Sequence, residues 1–186
     1  SRLYAKWLDD IDDAQQEKLE RQFATELEVI TRDDRLDTIA QDIVQHFPAR
    51  GYLGKGMVIS VDKFTAVKMF DKVERLWKEE IKRLTGRVSK AVTESEKAIL
   101  KRKLEWMKRV EMAVVISEEA DEEKKFAKQK LEIARHRKRM NALDAQGHDI
   151  ETNFKDPEHP LQLVFLCAMW LTGFDAPTVS TLYLDK

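Results

Sequence analysis

The sequence predicts an α/β domain: a parallel sheet with helices on its faces, entered through a helical lead-in and carrying a helical insertion. Three observations lead there. Short apolar runs rich in β-branched or aromatic residues recur at 57–61, 112–117, 163–167 and 179–184, each reading as a buried strand. Between them, apolar residues return at spacings of three and four, the period of an amphipathic helix. Strands alternating with helices build a parallel sheet covered on its faces.

Composition bounds the function classes. A chain of 186 residues fits one domain, or one domain with an appendage. Charged residues make up 36% and aromatics 8%, which suits a helix-rich protein better than a large all-β core. The net charge of −1 argues against a polyanion binder as a whole, so any nucleic-acid surface has to be a local patch. Cys167 is the single cysteine, which rules out an internal disulfide and a Cys-based metal motif. It reads as a buried apolar thiol, compatible with reducing surroundings. No apolar run approaches the roughly 20 residues that span a bilayer, and residues 1–12 do not read as a signal peptide.

Along the chain, Leu3, Tyr4, Trp7, Leu8, Ile11, Leu19, Phe23, Leu27 and Ile30 mark helix. Thr31 and Asp34 form a T-x-x-D helix start; Leu36, Ile39, Ala40, Ile43, Val44 and Phe47 trace the next apolar face, which should stop at Pro48. Residues 1–50 thus form the lead-in and 51–186 the α/β lobe. The stretch Gly51–Gly56 contains a lysine but is not a P-loop. Gly56 stands where a hydroxyl should follow Lys55, and the loop precedes its strand. After strand 57–61, Asp62 and Lys63 sit at the turn into a helix carrying Phe64, Val67, Phe70, Val73 and Trp77. Polar residues there cap the helix or face a ligand.

Residues 78–110 read as inserted helices, with a capping box at Thr93 and Glu96. After strand 112–117, an acidic 118–123 and a basic 124–139 suit one helix with its macrodipole matched. Arg135–Arg139 form either a solvated helix end or a phosphate-contacting patch. Residues 144–160 read as loop, and the four histidines lack metal-ligand spacing. The order closes as strand, turn, strand, with Thr172, Gly173, Asp175 and Pro177 between the last two strands. An acid and a hydroxyl held beside a strand end are where parallel α/β sheets bind ligands.

Those closing residues carry a family resemblance. LVFLCAMWLTGFDAPTVSTLYLDK resembles motif V of the R subunit of type I restriction–modification enzymes, superfamily-two helicases and translocases. The string WLTGFDAP is its specific part, and MVISVDKFTAVKMF stands where the family has motif IV. The resemblance implies a second RecA-like motor lobe in which Gly173 and Asp175 line the nucleotide cleft, while Thr172 and Lys63 contact nucleic acid. Cys167 departs from the Thr found at the first motif V position in many helicases.

It further implies a cytoplasmic, prokaryotic parent enzyme that uses ATP and Mg2+ to translocate duplex DNA and cleaves it with a separate nuclease domain. Partners would be the first RecA-like lobe and nuclease domain of the same chain, and the modification and specificity subunits. No Walker A, Walker B or nuclease motif is recognised, and the chain ends before the place of motif VI. The resemblance therefore implies an incomplete piece, inactive alone. Two other readings stand beside it: the second lobe of a repair-type helicase, and a non-catalytic α/β protein-interaction domain.

Overall fold

The computed structural model describes residues 13–52, 54–168 and 177–184. In chain order these form α1 (Asp13–Ile30), α2 (Asp33–Ala49), β1 (Lys55–Ser60), α3 (Lys63–Lys90), α4 (Glu94–Arg109) and β2 (Glu111–Val115). There follow α5 (Glu122–Lys128), α6 (Ala134–Asn141), α7 (Ile150–Lys155), β3 (Leu161–Cys167) and β4 (Val179–Leu184). The chain divides into two units, residues 1–35 and 36–186.

In the first unit, α1 leaves Leu19, Phe23 and Val29 more than half exposed. The Thr31 hydroxyl does not cap the next helix. It donates to the Leu27 carbonyl at 2.8 Å, and α2 begins at Asp33 instead.

In the second unit, α2 buries Leu36, Ala40, Ile43, Val44 and Phe47 and runs through Pro48 to Ala49 rather than stopping before it. Packing overrides the bias that proline imposes on its predecessor. Phe47 is fully buried, with the Trp106 and Trp77 rings 5.8 and 6.4 Å away. Gly56 makes room for it, since a Cβ there would lie 2.6 Å from the Phe47 ring.

The sheet has the order β2-β3-β1-β4 and every pairing is parallel. β1 is buried along its whole length, and β3 nearly so. Alternate residues enter two cores, as the period of two requires. Val58, Val114, Leu163 and Phe165 join α2, α3 and α4 on one side; Met57, Ile59, Val115, Val164 and Leu166 join α7 on the other.

The last two strands are not joined by a simple turn. Both pair with β1, on opposite sides. Because β3 and β4 are parallel, Cys167 and Val179 lie at opposite ends of the sheet. β4 is also less buried than its composition implies: like β2 it is an edge strand among the described residues, and Leu182 and Leu184 are each 55% exposed.

The basic stretch after β2 is two helices, not one. Lys130 adopts a left-handed φ of 58°, and its N–H closes a turn onto the Ala127 carbonyl. This break lets Phe126 and Ile133 both reach the core. Arg137 of α6 then grips Glu122 of α5 through two bonds of 2.7 and 2.8 Å, and also donates to the Ile116 carbonyl at 3.1 Å. The expected loop at 144–160 contains α7. Asp149 accepts from the Thr152 N–H at 2.8 Å, and Ile150 and Phe154 are buried.

β1 starts two residues earlier than its apolar run. The Lys55 N–H donates to the Thr178 carbonyl at 3.0 Å, and its side chain, with the residue only 1% exposed, is buried with the strand. Its ammonium donates to the Asn153 carbonyl at 3.0 Å and lies 5.5 Å from the Phe154 ring centre. Thr178, just before β4, ties the same helix, its hydroxyl donating to the Phe154 carbonyl at 3.0 Å. Desolvation lowers the Lys55 ammonium from its ordinary value to about 8, against the opposing pull of Asp156.

Two predictions come from these buried charges. The folded state holds Lys55 less protonated than the unfolded chain between pH 8 and 10.5, so this group makes stability rise with pH across that window. Lys55→Met should remove a rise on the order of 2–3 kcal/mol, read as the wild-type-minus-variant difference in denaturant unfolding at each pH. Glu122 behaves oppositely, because the Arg137 hydrogen bond holds its carboxyl below the ordinary range. Its contribution is present above the unfolded value near 4.5 and is lost as pH falls through the lower folded value. Glu122→Gln should cost about 3 kcal/mol at pH 7, a gap that closes in acid; an equal gap at pH 3 and 7 would contradict the assignment.

Candidate functional site

In a parallel sheet, the carboxyl ends of the strands leave polar backbone and loop residues facing outward, and ligands collect there. β1 ends at Ser60 and β3 at Cys167, and these two residues are register partners. Val115, the last residue of β2, pairs with Leu166. β3 therefore ends directly beside the turn that leads from β1 into α3.

Ser60 is 1% exposed, and its hydroxyl has no hydrogen-bond partner among the described residues. A buried hydroxyl left unmatched carries a desolvation cost of about 1–3 kcal/mol, which an arriving polar group would relieve. The sequence pattern concealed this, because Ser60 reads there as one more member of an apolar strand. Beside it, Asp62 caps α3, its carboxylate accepting from the Thr65 N–H at 2.6 Å. That carboxylate sits where a phosphate would otherwise meet the helix N-terminus. The capping reading of Asp62 therefore holds, and this helix start is already supplied with an anion.

Lys63 opens α3 with its side chain 21% exposed and its ammonium 3.3 Å from Glu119. Lys125 meets the other Glu119 oxygen at 3.2 Å. The Lys125 and Lys63 hydrogen bonds hold the Glu119 carboxyl below its ordinary value. Lys63 thus stands at the carboxyl end of the sheet as a partnered cation. Thr172, Gly173 and Asp175 lie outside the described residues.

A cleft of about 260 Å³ opens beyond β2, lined by Ser117, Glu118, Arg137, Asn141, Asp149 and Glu151 among others. Its charged wall is three acids to one base, and that arginine is already held by Glu122.

The run Arg135–Arg139 is largely engaged within the fold. Arg135 binds Asp71 at 2.5 Å and Glu74 at 3.2 Å, and Arg139 binds Glu111 at 2.7 Å. His136 is 4% exposed and packs edge-on to Phe70 with ring centres 4.7 Å apart. Neither a freely solvated helix end nor an open phosphate patch describes this stretch. It fastens α6 to α3 and β2. Among the described residues there is no group of three or more His, Cys, Asp or Glu placed to hold a metal ion, and no helix long and apolar enough to cross a membrane.

Comparison with known proteins gives these features a family. The family model for domain 3 of the type I restriction enzyme subunit R matches residues 54–186. The chain is 60% identical over 37 residues to the type I restriction enzyme HindI endonuclease subunit of Haemophilus influenzae, a match covering 20% of this chain and 4% of that protein. It is 25% identical over 177 residues to a putative type I restriction enzyme MjaIXP endonuclease subunit of Methanocaldococcus jannaschii, covering 94% of this chain and 13% of that protein. The chain thus spans a small part of the length of either relative. No solved structure matches it significantly. With a RecA-like parallel sheet flanked by helices and a family match over most of its length, the chain belongs to the type I restriction enzyme subunit R domain 3 family.

Proposed function

We propose that the chain is the second RecA-like lobe of the ATP-dependent motor in a type I restriction endonuclease R subunit of a prokaryotic cytoplasm. Residues 1–50 are the lead-in from the preceding lobe and 51–186 the lobe itself, with 78–110 as its insertion. Motif IV enters at β1 and α3, and motif V follows β3. The observation that supports this most is the pairing of Ser60 with Cys167, from which both motif stretches leave the sheet at one edge.

In this reading the parent moves duplex DNA and cuts it through a separate nuclease domain, with modification and specificity subunits as partners. The lobe closes one side of a nucleotide cleft with Gly173 and Asp175, and Thr172 and Lys63 face the DNA track. The residues present suit half a site. The start of α3 carries its own carboxylate at Asp62 and Ser60 offers one unmatched hydroxyl, so the triphosphate and Mg2+ are gripped by the opposing lobe. Bound ATP supplies the phosphoryl-transfer energy. This chain's part is to bind and orient, and to shift with nucleotide state relative to the partner lobe.

The test is ATP turnover by the full-length parent, with and without duplex DNA. Duplex DNA should stimulate turnover, and Asp175→Ala should lower the stimulated rate about tenfold or more, equivalent to about 1.4 kcal/mol of transition-state stabilisation. A parent without DNA-dependent turnover would overturn the motor reading. A fully active Asp175→Ala variant would remove Asp175 from the cleft while leaving that reading in place.

A further inference from the structure

The charge of this chain is unevenly placed. Over the whole chain acids and bases nearly cancel at −1, yet residues 82–109 hold ten lysines and arginines against three glutamates. These residues form the outer part of α3, the turn and α4. At about 1.5 Å per residue the 28-residue α3 is about 42 Å long, roughly twice the length of six-residue β1. Its first half, through Trp77, is buried in the main core. Beyond it, Leu84 is the buried residue, so the tip stands as a helical hairpin.

On this hairpin Lys82, Arg83, Arg87 and Lys90 line one groove of about 440 Å³, with Gly86 between them and Glu96 as the acid on its wall. The spacing 82, 83, 86, 87, 90 places them on one stripe of α3. All four cations are exposed. Arg83 is paired with Glu80 at 2.6 Å, whereas no carboxylate partner is found for Lys82, Arg87 or Lys90 among the described residues. Gly86 has open space where a side chain would stand, although glycine inside a helix costs about 1 kcal/mol relative to alanine. The groove floor is thus kept free for an approaching backbone.

We propose that the α3–α4 hairpin is a binding arm for the phosphate backbone of duplex nucleic acid, with Lys82, Arg87 and Lys90 as its phosphate contacts. Self-repelling cations gathered on one stripe are matched by a polyanion whose charges repeat along a line. A duplex fits better than a single strand, because the described residues that line the groove include no aromatic platform for bases to stack upon. The contact carries no sequence information, since phosphate contacts position and base contacts specify. The partner class accords with the motor reading, but the surface lies away from the sheet edge where motifs IV and V depart.

The experiment is fluorescence anisotropy with the 186-residue chain and a labelled random-sequence duplex, titrated across a salt series. The variant Lys82→Ala/Arg87→Ala/Lys90→Ala changes exposed helix positions to the best helix former, so its circular dichroism should match wild type. Its duplex affinity should fall about tenfold or more, and the slope of log K against log salt should decrease by about 2–3. The control Lys124→Ala/Lys128→Ala/Lys138→Ala removes the same charge elsewhere and should retain most of the affinity.

Wild-type affinity and slope in the hairpin variant would overturn the proposal. So would an equal loss in the control, which would leave only net charge at work. Tighter binding of a single strand, or of polyglutamate in place of DNA, would assign the arm to another partner and likewise overturn it. A folded variant with these losses, in a parent whose ATP turnover ignores DNA, would keep the arm and reject the motor.

Discussion

The rest of the structure depends on the central position of β1. It pairs with β3 on one side and β4 on the other, while its two faces are sealed by separate cores. A strand in that position can carry few polar groups, and its sequence KGMVIS complies at all but its ends. Those ends are where the departures matter. Lys55 buries an ammonium at the start, and Ser60 buries an unmatched hydroxyl at the finish. The first ties α7 to the sheet; the second faces the edge from which the family motifs leave.

The strands and the first turns of α3 were legible because they rest on local pattern. Period-two burial, helical spacing and the Asp62 and Thr93 caps are properties of neighbouring residues. What was not legible depends on distant partners. Arg135 looked free because Asp71 and Glu74 lie more than sixty positions earlier, on α3. Lys55 looked like part of a Gly-rich loop because Asn153, whose carbonyl accepts its hydrogen bond, belongs to a helix that itself looked like loop. The single helix expected across the basic stretch failed on Lys130, whose left-handed φ no propensity scale anticipates. Of the assigned site, Lys63 is seen at the sheet edge, while Thr172, Gly173 and Asp175 rest on the motif alone.

Electrostatics divides along the same line. Near the sheet edge, cations are matched. Arg137 is held by Glu122, Lys63 and Lys125 share Glu119, and Arg135 bridges two carboxylates. Burial tends to raise the Glu80 carboxyl, yet Arg83 and Lys103 hold it below its ordinary value, which makes Glu80 the last such clamp along α3. Past that point, acids become sparse and cations remain. Exposed cations are thus gathered on one stripe of α3, and that concentration is the informative feature.

α3 links these regions mechanically. It begins at Asp62 and Lys63 beside the sheet edge and ends at Lys90 in the cationic groove, without a proline to bend it. The indole of Trp77 donates to the Met107 carbonyl at 3.0 Å, and Lys103 reaches Glu80 at 3.2 Å, so α4 is fastened to its outer half. Packed helices with satisfied bonds shift as bodies rather than bend, because close-packed interiors transmit displacement instead of absorbing it. The capped start of α3 and its cationic tip are therefore the two ends of one continuous helix, braced by α4 along its outer part.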